Sequence, residues 1–241
     1  MTVLSATCRP ASRPPGNVPA MEVHLINDVP DGLTRRAASF VGTHGVKADV
    51  RAVEDRRPWL LERGVPGEVI DRLSAFQRRW GGLVLPPGPQ YDGGPGHLNP
   101  TSPEEDSAGW RFEAGPPRTA LPYSFMISPS DEFGIQGYGW APLHATVEGW
   151  VESLALSHHA SLYAKQVTRL VGDDIEAIGL SGYEPVREVK GLADTWRRGP
   201  DSLVALYTGE ATAMSFLRGR TALIYSGLDE WGLRGGVDDD G

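Results

Sequence analysis

Residues 65–87, VPGEVIDRLSAFQRRWGGLVLPP, are the stretch in which every local signal agrees. Pro66 suits the first turn of a helix, where its missing N–H would be unpaired anyway. Val69, Leu73, Phe76 and Trp80 fall on one apolar stripe at helical spacing. Glu68 and Asp71 sit toward the positive end of the helix dipole and Arg78 and Arg79 toward its negative end. Gly81 and Gly82 can take the left-handed conformation that ends a helix. Leu83, Val84 and Leu85 then read as a short buried strand stopped by Pro86 and Pro87. A helix delivering a strand in this way is a core unit, and the chain is expected to be organised around it. It carries no chemistry.

The remaining elements follow in order. Residues 22–29 read as a strand, 33–41 as a modest helix, 46–53 as a strand with one wet face, and 59–62 as a helical turn. Residues 86–109 are rich in Gly and Pro and are expected to form a long loop carrying Tyr91 and the acidic run Glu104, Glu105 and Asp106. Trp110, Phe112 and Ala114 alternate, as do Leu121, Tyr123, Phe125 and Ile127. The second run passes through Ser128-Pro129-Ser130-Asp131 into Phe133, so an antiparallel meander is expected. Thr146 can cap a second helix whose buried stripe is Val147, Val151, Leu154, His158 and Leu162, with Glu148, Glu152 and His159 on a solvated face. In the last third, residues 173–178 read as a short helix, 203–207 and 222–225 as strands, 210–217 as a helix or connection, and Trp196 as a loop anchor. The fold class expected is α+β, a central antiparallel sheet flanked by amphipathic helices. A single domain over residues 21–236 is expected, with a disordered Pro-rich tail at 1–20, where Met21 is a second candidate start, and an acidic tail at 237–241.

Composition narrows function. There are 31 Asp and Glu against 23 Lys and Arg, a formal net charge of −8, which disfavours phosphate backbones and anionic lipid and favours a basic protein partner. No run has the length of a membrane span, no apolar leader opens the chain, and a cytoplasmic location is expected. The single Cys8 can form neither an internal disulfide nor a cysteine-based metal site. Gly179-Leu180-Ser181-Gly182 has the wrong spacing for a nucleophile elbow. Gly134, Gly137 and Gly139 give the dinucleotide fingerprint reversed, within a hairpin rather than between strand and helix. His144, Glu148, Glu152 and His159 have metal-ligand spacing, but on an amphipathic helix such groups are ordinarily solvated. No catalytic residue, metal ligand set or cofactor is therefore expected. The candidate partner-binding residues are Tyr91, Glu104, Glu105, Asp106, Asp131 and Glu132.

An amphipathic helix ending in glycine leads into Gly82-Leu83-Val84-Leu85-Pro86, then hairpins, then Trp140-Ala141-Pro142-Leu143-His144-Ala145-Thr146 and a helix bearing Val147, Trp150 and Val151. This order resembles the SUKH superfamily over roughly residues 65–163. The resemblance implies an α+β fold with a central antiparallel sheet. It also implies a binding function: many bacterial members are immunity proteins that neutralise nuclease-type toxins, and eukaryotic members are interaction modules in cell-wall regulation. A general interaction module and a hydrolase with a carboxylate or histidine site stand as alternatives.

Residues 1–20 offer too little apolar surface to offset their ordering entropy. A chain beginning at Met21 should therefore keep the melting temperature of the full chain, as read by calorimetry.

Overall fold

The computed structural model describes residues 23–26, 28–216 and 219–234. The tails expected at 1–20 and 237–241 lie outside the described residues, as does the end of the element expected at 210–217. In chain order the strands are β1 (Val23–Leu25), β2 (Val46–Ala48), β3 (Leu83–Val84), β4 (Thr101–Asp106), β5 (Gly109–Gly115), β6 (Ser124–Ile127), β7 (Phe133–Gln136), β8 (Trp140–His144), β9 (Gln166–Val171), β10 (Glu184–Pro185), β11 (Asp194–Arg198), β12 (Ser202–Tyr207) and β13 (Thr221–Ser226). The helices are α1 (Arg35–His44), α2 (Arg57–Glu62), α3 (Gly67–Trp80), α4 (Val147–Tyr163), α5 (Gly209–Ala213) and α6 (Glu230–Arg234). The fold is α+β. Its strands form three antiparallel sheets rather than one: β1-β2-β3, the meander β4-β5-β6-β7-β8, and β10-β11-β12-β13-β9. Among the described residues no helix is long and apolar enough to cross a membrane.

Helix α3 forms where the apolar stripe and the glycines place it. Val69, Leu73, Phe76 and Trp80 are all buried, and Gly82, at φ +79°, makes the turn into β3. Pro66 caps the helix from outside rather than opening its first turn. The expected strand at 46–53 stops at Ala48, and the element expected at 173–178 is a 3-10 helix, Gly172–Ala177. The loop expected at 86–109 contains a 3-10 turn, Tyr91–Gly93, and all of β4. β4 has no apolar alternation to betray it. Its strand character comes from backbone pairing with β5, which sets Glu104 against Arg111 and Glu105 against Trp110.

The hub of the molecule is α4, not α3. Thr146 caps it as expected, its hydroxyl accepting from Gly149 N–H at 3.3 Å. The helix is buried on nearly all sides. Trp150 stacks on Phe133 of the meander at 4.7 Å, Ser153 Oγ accepts from Trp196 Nε1 at 2.9 Å, and the Ser157 and Tyr225 hydroxyls lie 3.0 Å apart. Trp196 is thus a buried strand residue of the third sheet, not the anchor of a loop. Glu152, expected on a solvated face, is 1% exposed and paired with the equally enclosed Arg36 of α1, while Thr34, the α1 cap, donates to the same carboxylate. Only the end of the expected stripe emerges: Leu162 is exposed and His158 is half-buried against His44 and Phe40.

Removing one member of a buried ion pair strands the other in a medium that solvates it poorly, at a cost of about 3–5 kcal/mol. Arg36→Met should lose that much stability in a denaturant titration. Arg36→Met with Glu152→Leu should lose less than either single substitution.

Candidate partner-binding face

Two polar constellations stand out, one closed and one open. The closed one lies where the second and third sheets meet. Residues 190–193 run along the free edge of β8, with Leu192 N–H donating to Leu143 carbonyl at 2.9 Å and Ala193 N–H to Pro142 carbonyl at 3.0 Å, and they lead directly into Asp194. The Asp194 carboxylate accepts from Tyr91 Oη at 2.7 Å, from Thr208 N–H at 3.0 Å and from Gly209 N–H at 3.2 Å. Burial pushes its pKa up to about 7, against the pull of those hydrogen bonds. His144, 1% exposed, donates Nδ1–H to Val189 carbonyl at 2.8 Å, and burial pulls it down to about 4. The cavity among these groups measures about 20 Å³, room for a single water. Such a centre locks strands together. It has no space for a substrate.

This geometry removes Tyr91 from the expected partner-contacting set: it is 8% exposed, with its hydroxyl committed to Asp194. Among the described residues no three His, Cys, Asp or Glu side chains converge to hold a metal ion. Glu148, one of the spaced acids of α4, pairs with Arg79 at 2.5 Å.

The open constellation gathers the other five expected residues. In the meander, the β4–β5 turn and the β6–β7 turn emerge at the same end of the sheet. They touch: a Cβ on Gly109 would lie 3.4 Å from Pro129. Glu104, Glu105, Asp106, Asp131 and Glu132 therefore come from one end of the meander, with Glu104 and Asp106 beside Arg111 on one face of the strands and Glu105 beside Trp110 on the other. Both turns are stiffened by their own side chains. Asp106 Oδ1 accepts from Ala108 N–H at 2.8 Å and Gly109 N–H at 3.1 Å, and Ser128 Oγ accepts from Ser130 N–H at 3.2 Å and Glu132 N–H at 3.1 Å.

Two arginines not foreseen in the site hold this rim. Arg72 of α3 donates to Trp110 carbonyl at 3.1 Å, Ser128 carbonyl at 2.9 Å and Asp131 Oδ1 at 2.8 Å. Arg111 of β5 pairs with Asp106 and approaches Glu104 at 3.9 Å. Two guanidinium groups against five carboxylates leave the rim negative. Beside it a groove of about 390 Å³ opens between α3 and the meander, floored by Phe76, Phe112, Ile127 and Val147 and edged by Arg72 and Asp131. The position of Arg72 one turn before Phe76, where a polar flank meets an apolar stripe, was the only sequence signal for it. No family model, curated protein or solved structure matches this chain.

The closed centre makes a pH signature. An unfolded aspartate titrates near 3.9, so Asp194 stabilises the fold at low pH and loses that contribution as pH rises toward about 7. His144 has the opposite sign, since its folded value of about 4 lies below the usual ~6.5 and stability is lost as pH falls between them. Asp194→Asn should abolish the first slope, so its melting temperature should fall more steeply on acidification from pH ~6.5 to ~4 than that of the unsubstituted protein.

Proposed function

We propose that this chain is a protein-binding domain that receives a basic partner surface on the acidic end of the meander. The observation that carries the reading is the gathering of five carboxylates from two stiff turns at one end of the meander, where Asp131 edges an apolar-floored groove. The carboxylates steer a cationic partner and set its orientation. The groove accepts an apolar or aromatic anchor, the feature in which binding energy concentrates. Preformed turns keep the ordering cost of association low. The partner class follows from charge: a nuclease that grips phosphates presents a basic site, and an acidic rim covers such a site by complementarity. With the SUKH resemblance, this supports an immunity role in which the chain neutralises a nuclease-type toxin inside the cytoplasm by binding it stoichiometrically.

Replacing Glu104, Glu105 and Asp106 by Gln, Gln and Asn retains shape and most hydrogen-bond acceptors while removing three charges. With a basic binding partner isolated from native cell extract, the triple variant should associate about tenfold more slowly at low salt, with dissociation little changed. The difference should shrink as ionic strength rises past ~0.1 M, where the screening length falls to about 10 Å. The variant's melting temperature should fall somewhat, since the largely buried Arg111 loses both of its carboxylate partners, so association is measured well below that transition. Equal association rates at low salt would exclude this rim from the interface.

A further inference from the structure

A cavity of about 340 Å³ opens between the first turn of α1, the end of β11 and α6. Four guanidinium groups line it, those of Arg35, Arg36, Arg198 and Arg234, together with the carboxylates of Glu188 and Glu230. A chain with 31 acidic and 23 basic residues would by composition line a cavity with carboxylates, and here the balance is inverted. None of these six residues belongs to the acidic end of the meander or to the groove beside α3.

Two of the arginines hold the fold. Arg36 turns Nε and one terminal amino group to Glu152 and the other to Arg234 carbonyl, so all three of its nitrogens are engaged. Arg198 donates Nε–H to Leu233 carbonyl at 3.1 Å. That bond pins its guanidinium plane to the end of α6 and leaves both terminal amino groups without a partner among the described residues. Arg234 pairs with Glu230 at 2.6 Å. Arg35 differs from the other three: it is exposed, and its side chain has no partner among the described residues. Support of α6 accounts for Arg36 and for one edge of Arg198, but not for Arg35 or for the open edge of Arg198. With Glu152 included behind Arg36, four guanidinium groups meet three carboxylates, so the cavity keeps a positive excess.

We propose that this cavity binds the phosphate group of a small phosphate monoester, with Arg35 and the open edge of Arg198 as its ligands. Guanidinium groups grip oxyanions through paired, parallel hydrogen bonds, and every cation here is an arginine. Arg198 is held in place before the ligand arrives, which lowers the ordering cost, while the exposed Arg35 closes on the anion from the rim. The volume decides against a bare ion, since it falls within the range of small-molecule pockets, roughly 300–1,000 Å³. Glu188 sets the rest of the ligand. Its carboxylate lines the cavity with no partner among the described residues, so it accepts from a hydroxyl and repels a second anionic group. A phosphorylated polyol fits both demands, and a polyphosphate does not.

Amide NMR titration of the full chain with glycerol 3-phosphate, inorganic phosphate and tripolyphosphate, at fixed pH and ionic strength, tests this. The amides of Arg35, Arg36 and residues 230–234 should follow one saturating curve with glycerol 3-phosphate, with a dissociation constant of about 1 mM or lower. Inorganic phosphate and tripolyphosphate should bind more weakly. Arg35→Gln, at an exposed side chain that supports nothing in the fold, should raise the dissociation constant about tenfold, the loss of one charge-assisted hydrogen bond. Arg198→Lys keeps the charge and loses the fork, and should weaken binding comparably. Arg63→Gln removes an exposed arginine outside the cavity and should change nothing. Shifts that never saturate, equal effects of Arg35→Gln and Arg63→Gln, or tightest binding by tripolyphosphate would each overturn the proposal.

Discussion

Burial of α4 on nearly every side is the constraint from which most of the architecture follows. A helix enclosed in this way has no solvated face on which to keep its polar groups, so each must find a partner in a different element. Glu152 takes Arg36 and Thr34, Ser153 takes the Trp196 indole, and Ser157 takes Tyr225. Those partners come from α1, β11 and β13, which is to say from both sides of the helix. Gly149 completes the set by omission. A Cβ there would lie 2.5 Å from Val189 carbonyl, so only glycine lets the chain after β10 pass so close. The polar groups fix which neighbour sits where, while Trp150, Val151 and Leu156 supply the apolar area that drives the assembly.

The use of arginine explains how a protein with a moderate acid excess acquires a strongly acidic rim. Two arginines are committed to backbone carbonyls of loops: Arg118 to Leu85 and Gly93, Arg56 to Pro100. Their planar fork of donors suits carbonyls that the irregular Gly- and Pro-rich segments leave without partners. Each cation drawn inward in this manner is one that no longer neutralises a surface carboxylate. Structural demand for donors and surface charge are therefore linked.

What could be read from the sequence was whatever local chemistry encodes. The ends of α3 and α4 were legible from Thr146, the glycines and the apolar stripe, and the β6–β7 hairpin from its turn residues. Elements made by distant pairing were not. β4 has an ordinary polar sequence and β9 a short mixed one, and both become strands because β5 and β13 offer them a ladder. Glu152 was misplaced because a carboxylate on a helix was assigned to water, and its true partner lies more than a hundred residues away in α1. The acidic residues of the candidate face were visible as charge. Their convergence was not, since it depends on the meander placing two turns at one end. Tyr91 failed for the opposite reason: a flexible-looking loop is tied down by a carboxylate from β11 that nothing nearby in the chain announces.

The position of α4 between two sheets also bears on how the molecule comes apart. The meander lacks its floor without Trp150, and the third sheet lacks its cover without Ser153, Ser157 and their apolar neighbours. Residues on either side of this helix in the chain are thus not two autonomous folding units sharing a boundary, but two halves that claim the same element. Detachment of either half exposes one flank of an apolar helix to water, and that cost falls on both. Unfolding is accordingly expected to be cooperative across the described residues, with helix and sheets lost together.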